Sequence, residues 1–176
     1  EHVSMLNVLR DRTLKIGSAG KMFSLTGWKV GFACGDPALT ELFAKAHQFL
    51  TFTTPPNLQR GVLHGLGKPR AYYNEMCAGL QRSRDRLKVA LEGEGYVTLP
   101  ARGAYFMSID LAASGIAGSD EAFARHAIEH GVATIPFSAF YANPGAPALA
   151  RLCFAKSDAT LDRGAEALIR ARRALL

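Results

Sequence analysis

Apolar and polar positions change rhythm several times along this chain, and each change marks an element. Glu1 to Arg12 reads as a helix end or loop, and the short apolar alternation from Thr13 to Ile16 predicts a strand. Lys29 to Cys34 is apolar, partly β-branched and bounded by glycines, which predicts a buried strand. Asp36-Pro37 opens a helix reaching about Phe49, with Pro37 at the first helical position and Asp36 free to cap it. Thr51 to Pro56 breaks the pattern, because each proline pushes its predecessor towards extended geometry. A short helix follows over Asn57 to Gly65. From Pro69 to about Glu92, Tyr73, Met76, Cys77, Leu80, Leu87 and Leu91 recur at helical spacing, predicting a long amphipathic helix that Gly93 and Gly95 end.

Beyond Gly95 the rhythm shortens. Tyr96 to Leu99 and Ala104 to Asp110 predict strands about the turn Pro100-Ala101-Arg102-Gly103. Ser119-Asp120-Glu121 caps a helix that reaches Gly131, and Val132 to Ile135 and Ala150 to Ala155 predict two more strands. A final helix runs from Ser157 to about Arg173. Helices and strands alternate, so the expected class is α/β, with a compact α+β layer at the C-terminal end. The expected organisation is 1–70 as the tail of a larger domain, 71–94 as a linking helix and 95–176 as a small domain.

The chemistry concentrates between Ser18 and Gly31, Ser-Ala-Gly-Lys-Met-Phe-Ser-Leu-Thr-Gly-Trp-Lys-Val-Gly. Small residues around Lys21 let a ligand approach the backbone closely, and Ser18 adds a hydroxyl that can hold an anion. Lys29 follows the Thr26-Gly27-Trp28 corner as a second cation. A free lysine has a pKa of about 10.4 and is a poor nucleophile while protonated. Desolvation or neighbouring positive charge lowers that value and favours condensation with an aldehyde.

This stretch resembles the active-site segment of the fold-type I pyridoxal-phosphate aminotransferases, in the branch of kynurenine and methionine aminotransferases. Ser18-x-x-Lys21 and Thr26-Gly27-Trp28-Lys29-x-Gly31 carry the likeness. Gly103-Ala104-Tyr105-Phe106 and Arg151-Leu152-Cys153-Phe154 resemble two further landmarks in the right order, and the likeness runs from about Leu6 to Ile169.

The resemblance implies the C-terminal part of a fold-type I transferase, the end of the large α/β domain plus a small α+β domain. It implies that Lys21 carries pyridoxal 5'-phosphate and moves the substrate proton, while Lys29 and Ser18 bind the cofactor phosphate. Lysine at position 29 supplies a point charge where many relatives have the arginine fork. The plain alternatives are a solvated lysine and a turn serine. Arg151 lies in an apolar strand, costly for a charge unless it is paired. The resemblance gives it the substrate α-carboxylate, which a bidentate fork suits, against a structural ion pair. Phe52 is a candidate contact for an apolar substrate side chain in a neighbouring subunit, with Thr53 and Thr54 near the partner's phosphate; turn packing is the alternative for all three. Tyr105 and Phe106 are expected to pack the core beneath the site.

The implied activity moves an amino group between an amino acid (methionine, aromatic or kynurenine-like) and a 2-oxo acid. The resemblance also implies a homodimer at full length. The ring-stacking aromatic, the aspartate at the ring nitrogen, and the asparagine and tyrosine near O3′ would all precede Glu1. A C-terminal fragment, inactive alone, is therefore expected. A carbon–sulfur β-lyase of the same fold and a non-catalytic ligand-sensing domain are the competing readings.

Composition changes this little. The formal net charge is +6, but the basic groups Arg82, Arg84, Arg86, Lys88 and Arg170, Arg172, Arg173 fall in predicted helices without interleaved aromatics. A solvated helix face is expected there, and no nucleic-acid partner. Cys34, Cys77 and Cys153 are three, far apart and in apolar contexts, which predicts core filler in a reducing, cytoplasmic compartment. No segment reads as a signal peptide or a membrane span. His126 and His130 stand four apart on one predicted helix, yet no third ligand accompanies them, so no metal is expected.

Overall fold

A computed structural model of the chain describes residues 3–143 and 145–176; Glu1 and His2, included in the first predicted segment, lie outside the described residues. The chain divides into two compact units, Glu1–Arg70 and Ala71–Leu176.

In the first unit, two short 3-10 turns, Met5–Asn7 and Arg10–Arg12, lead into strand β1 (Leu14–Ser18). Helix α1 (Ala19–Met22) and the 3-10 turn Thr26–Trp28 intervene before β2 (Gly31–Gly35). The strands pair antiparallel, from Leu14 opposite Gly35 to Ser18 opposite Gly31. Helix α2 (Pro37–Leu50) starts as its sequence dictates, with Pro37 in the first turn and Asp36 Oδ1 accepting the Ala38 N–H at 2.9 Å. Helix α3 (Pro56–Leu66) begins where the proline pair ends.

Two expectations for this unit need correction. The strand starts at Gly31, not Lys29, because Lys29 takes the left-handed conformation (φ 55°) that closes the preceding turn. It is also not buried, because β2 pairs only with β1 among the described residues and its positions are exposed or half-buried. The small core here is Ala19, Val30 and Val62, with Phe23 and Leu58 packed against it.

In the second unit, helix α4 (Arg70–Glu92) leads to β3 (Val97–Thr98) and β4 (Phe106–Asp110). Helix α5 (Asp120–Glu129), β5 (Ile135–Pro136), a 3-10 turn Phe137–Phe140, β6 (Leu149–Cys153) and helix α6 (Asp158–Arg173) complete it. Ser119 caps α5 as expected, its Oγ accepting the Ala122 N–H at 3.1 Å. The strand expected at Val132–Ile135 starts instead at Ile135, since its ladder partners on β6 are Arg151 and Ala150. The strands form one antiparallel sheet in the order β3-β4-β6-β5.

Alternation along the sheet separates its two faces. Met107, Ile109, Ala150 and Leu152 are buried and join Leu87, Leu91, Leu161 and Leu168 of the helices in the main core. Phe106, Ser108, Arg151 and Cys153 alternate with them and are half-buried. The basic groups serve this packing as well as the surface. Arg86 on α4 binds Asp162 on α6, Arg172 Nε donates to the Ser114 carbonyl at 3.0 Å, and Arg173 pairs with Glu94. The cysteines are not core filler, since Cys34 and Cys77 are exposed and Cys153 is half-buried; all three are free.

Candidate active site

The β1–β2 ladder brings Ser18 and Lys29 to one end of the hairpin. Ser18 is the last residue of β1 and faces Gly31 in register; Ala19 N–H then donates to the Val30 carbonyl at 3.1 Å. The connection between the strands is pulled tight by Leu25 N–H on the Gly20 carbonyl at 3.0 Å and Thr26 Oγ1 on the same carbonyl at 3.2 Å. Gly20 suits this crossing, since a Cβ there would lie 3.0 Å from Thr26 Cα, tighter than an ordinary contact. Gly31 is required beside it, where a Cβ would meet the Gly17 carbonyl oxygen at 2.9 Å.

Lys21 follows directly. Ala19 and Gly20 are buried and fix the start of α1, while Lys21 is exposed and has no ion pair among the described residues. Ser18 caps α1 by position, but its hydroxyl makes no capping bond, so its oxygen stays available to a ligand. Lys29 is exposed at the end of the 3-10 turn. Two ammonium groups, a free hydroxyl and a backbone stripped of Cβ atoms suit a phosphorylated aldehyde, with one amine for the carbonyl and one for the anion.

Phe52 belongs to the same unit, just past the end of α2. It is 76% exposed and has φ +68°, where helix ends usually use glycine. Its N–H donates to the His47 carbonyl at 3.1 Å, which holds the bulky residue in this conformation. Thr53 and Thr54 follow it, both outside regular structure.

Arg151 belongs to the second unit, on β6 between Ser108 of β4 and Ile135 of β5. It does not make the structural ion pair weighed for it; no carboxylate lies within ion-pair distance among the described residues. Its guanidinium instead rests on the rings of Phe106 and Phe140. Phe106 therefore lies on the Arg151 face of the sheet rather than in the core beneath it, because the buried face starts one residue later at Met107. Phe140 and Asp120, whose carboxylate holds the turn that carries Phe140, are additions that sequence reading did not single out. Asp120 had a local signal only as a helix-start residue.

A model of the family described as aminotransferase class I and II matches residues 5–168. The chain belongs to that family. It is 36% identical over 160 residues to a methionine aminotransferase of Escherichia coli, a match covering 91% of this chain and 42% of the relative. Against a kynurenine–oxoglutarate transaminase of Dictyostelium discoideum the identity is 32%, covering 93% and 42%. A crystal structure of an Escherichia coli protein with a methionine aminotransferase function superposes with a TM-score of 0.86 at 35% identity, over 96% of this chain and 45% of that one. A Thermus thermophilus aspartate aminotransferase variant gives 0.85 at 29% identity, over 97% and 46%. The fold is thus that of part of a fold-type I aminotransferase, and the chain spans less than half the length of these relatives.

Proposed function

We propose that this chain is the C-terminal portion of a pyridoxal-phosphate-dependent aminotransferase acting on methionine, aromatic or kynurenine-like amino acids and a 2-oxo acid. The observation that carries this reading is the exposed Lys21, without an ion pair among the described residues, on a tightly closed loop beside Lys29 and a Ser18 hydroxyl that makes no capping bond. In this reading 1–70 ends the cofactor-binding domain, 71–94 is the linking helix and 95–176 is the small domain.

Pyridoxal phosphate, when bound, supplies the carbonyl that takes the amino group and the conjugated ring that draws electrons from the substrate Cα. The residues of this chain do the rest. Lys29 and Ser18 hold the phosphate, and Lys21 anchors the cofactor and takes the proton from the substrate Cα through its Nζ. Arg151 grips the α-carboxylate with its fork and so orients the Cα–H bond. The amino acid leaves as its 2-oxo acid, and a second 2-oxo acid then leaves as the new amino acid. Phe52 contacts the apolar substrate side chain. The full-length protein is a homodimer, for which the exposed Phe49, Leu50 and Phe52 offer apolar surface, and the free cysteines suit the cytoplasm.

The test is turnover of methionine or kynurenine with a 2-oxo acid by the full-length protein that contains this chain. A new amino acid should form in step with the 2-oxo product, and Lys21→Ala should lower the rate by about 10²–10⁴-fold or more. Release of pyruvate and a thiol in place of amino transfer would make it a β-lyase. Binding of the amino acid without turnover would make it a ligand-sensing domain.

A further inference from the structure

Helix α3 carries two glycines one turn apart, Gly61 and Gly65, although glycine weakens a helix interior more than any residue but proline. Both belong to the face that meets the site loop. Leu58, Gly61, Val62 and Gly65 follow the i, i+3, i+4, i+7 spacing of one helix face. Leu58 and Val62 pack with Ala19, Val30 and Phe23 in the core of this unit. The glycines leave notches in that face, and an aromatic ring fills each. A Cβ at residue 61 would lie 2.6 Å from Cζ3 of Trp28, and one at residue 65 would lie 2.8 Å from Cε2 of Phe23.

These rings are sequence neighbours of the two lysines. Phe23 stands two residues after Lys21, and Trp28 immediately before Lys29. Trp28 N–H donates to the Leu25 carbonyl at 2.9 Å and Lys29 N–H to the Thr26 carbonyl at 3.4 Å, so ring, turn and lysine form one short unit. Lys29 then takes φ 55°, a conformation uncommon outside glycine, which fixes the direction of its Cα–Cβ bond. A methyl group at residue 61 must displace the ring or the helix, because an indole is rigid beyond its two side-chain torsions.

We propose that Gly61 is a positioning residue for Lys29: its notch seats the Trp28 ring and so sets where the adjoining ammonium group stands. Gly65 and Phe23 hold the Lys21 end of the loop on the same helix face. The proposal rests on the phosphate role given above to Lys29 and adds the part of α3 that places it. A displaced ammonium lengthens its charge-assisted hydrogen bond to a phosphate, whereas an aldehyde without a phosphate has nothing to lose at that position.

The experiment measures equilibrium binding of pyridoxal phosphate and of pyridoxal to the full-length protein that contains this chain, freed of bound cofactor. The two probes share the aldehyde and differ in the phosphate. The preference of the wild type for pyridoxal phosphate should fall about tenfold in Gly61→Ala, the scale of one weakened hydrogen bond to a charged group. Adding Trp28→Phe, which shortens the ring, should return the preference to within about twofold of the wild type. Gly65→Ala adds the same methyl group to the same helix face, beside Phe23, and should leave the preference unchanged. A preference unmoved by Gly61→Ala, equal losses in Gly61→Ala and Gly65→Ala, or no recovery in the double variant would overturn the positioning role while leaving Lys29 at the phosphate. If Gly61→Ala does not fold, the double variant decides: a folded protein with the wild-type preference supports the seat, and any other result overturns it. A wild type without preference for pyridoxal phosphate would overturn both.

Discussion

Ala19 donates its backbone N–H to the Val30 carbonyl across 3.1 Å, closing the loop that carries Lys21. The two residues are also buried together in the core of their unit. The position of the lysine is therefore tied to packing that is tight at the next residue, Gly20. Gly20→Ala should destabilise the first unit by about 1–2 kcal/mol, and Gly20→Val by more, because the added carbon presses on the Thr26 backbone. Thermal unfolding measures the loss, and a variant as stable as the parent would show that the crossing is loose.

Phe52 holds a left-handed conformation at φ +68° while 76% of it is exposed, so little burial offsets the strain. Phe52→Gly should raise stability by about 1 kcal/mol, because glycine adopts this region without a Cβ clash. Under the proposed function the same change should weaken binding of apolar amino acids by the full-length dimer. Stability and affinity moving in opposite directions would identify a residue kept for its ligand.

Arg86 grips Asp162 through two bonds of 2.7 Å, joining α4 to α6. That hydrogen bonding holds the Asp162 carboxyl below its ordinary range. A carboxylate lowered in the fold adds stability above its unfolded pKa, and that stability disappears as pH falls through the folded value. Asp162→Asn should therefore lower the melting temperature at pH 7 but converge with the parent in acid. Both side chains are substantially exposed, so added salt should shrink the difference at pH 7. A gap that persists in acid and high salt would assign the effect to packing.

Tyr96 is 2% exposed, and its hydroxyl donates to the Leu168 carbonyl at 2.6 Å. Burial pushes its phenol well above the ordinary value of 10, with the Arg172 charge opposing it. Its contribution is complete below the unfolded pKa and is lost as pH rises towards the folded one. Tyr96→Phe should cost about 1 kcal/mol at neutral pH, by removing a buried hydrogen bond from a carbonyl that keeps its helical partner. It should also flatten the alkaline fall in stability above about pH 10. Parallel alkaline curves for the two proteins would contradict this account.

The readable parts of this molecule were those set by neighbours in sequence. Asp36-Pro37 and Ser119 mark helix starts because capping involves residues two or three apart, and both caps form. The prolines at 55 and 56 mark a break for the same local reason. What escaped was set by distant partners. The strand at Ile135 is positioned by its ladder to β6, and the turn after it by Asp120, 18 positions away from Ser138. Arg151 announced itself as a charge in an apolar strand, but its neighbours Phe106 and Phe140 come from two other elements, β4 and the 3-10 turn Phe137–Phe140. Cys34 and Cys77 looked apolar in context yet lie at the surface, since an apolar neighbourhood in sequence does not say which face a residue takes. The motif from Ser18 to Gly31 carried the family, and the left-handed turn at Lys29 within it needed the structure.

The most direct test of the central claim is to incubate the full-length protein with pyridoxal phosphate, reduce it with borohydride and map the labelled peptide by mass. The account predicts one dominant label, on Lys21, suppressed when the amino acid substrate is added first. A label on another lysine, or one spread evenly over Lys15, Lys21 and Lys29, would contradict it.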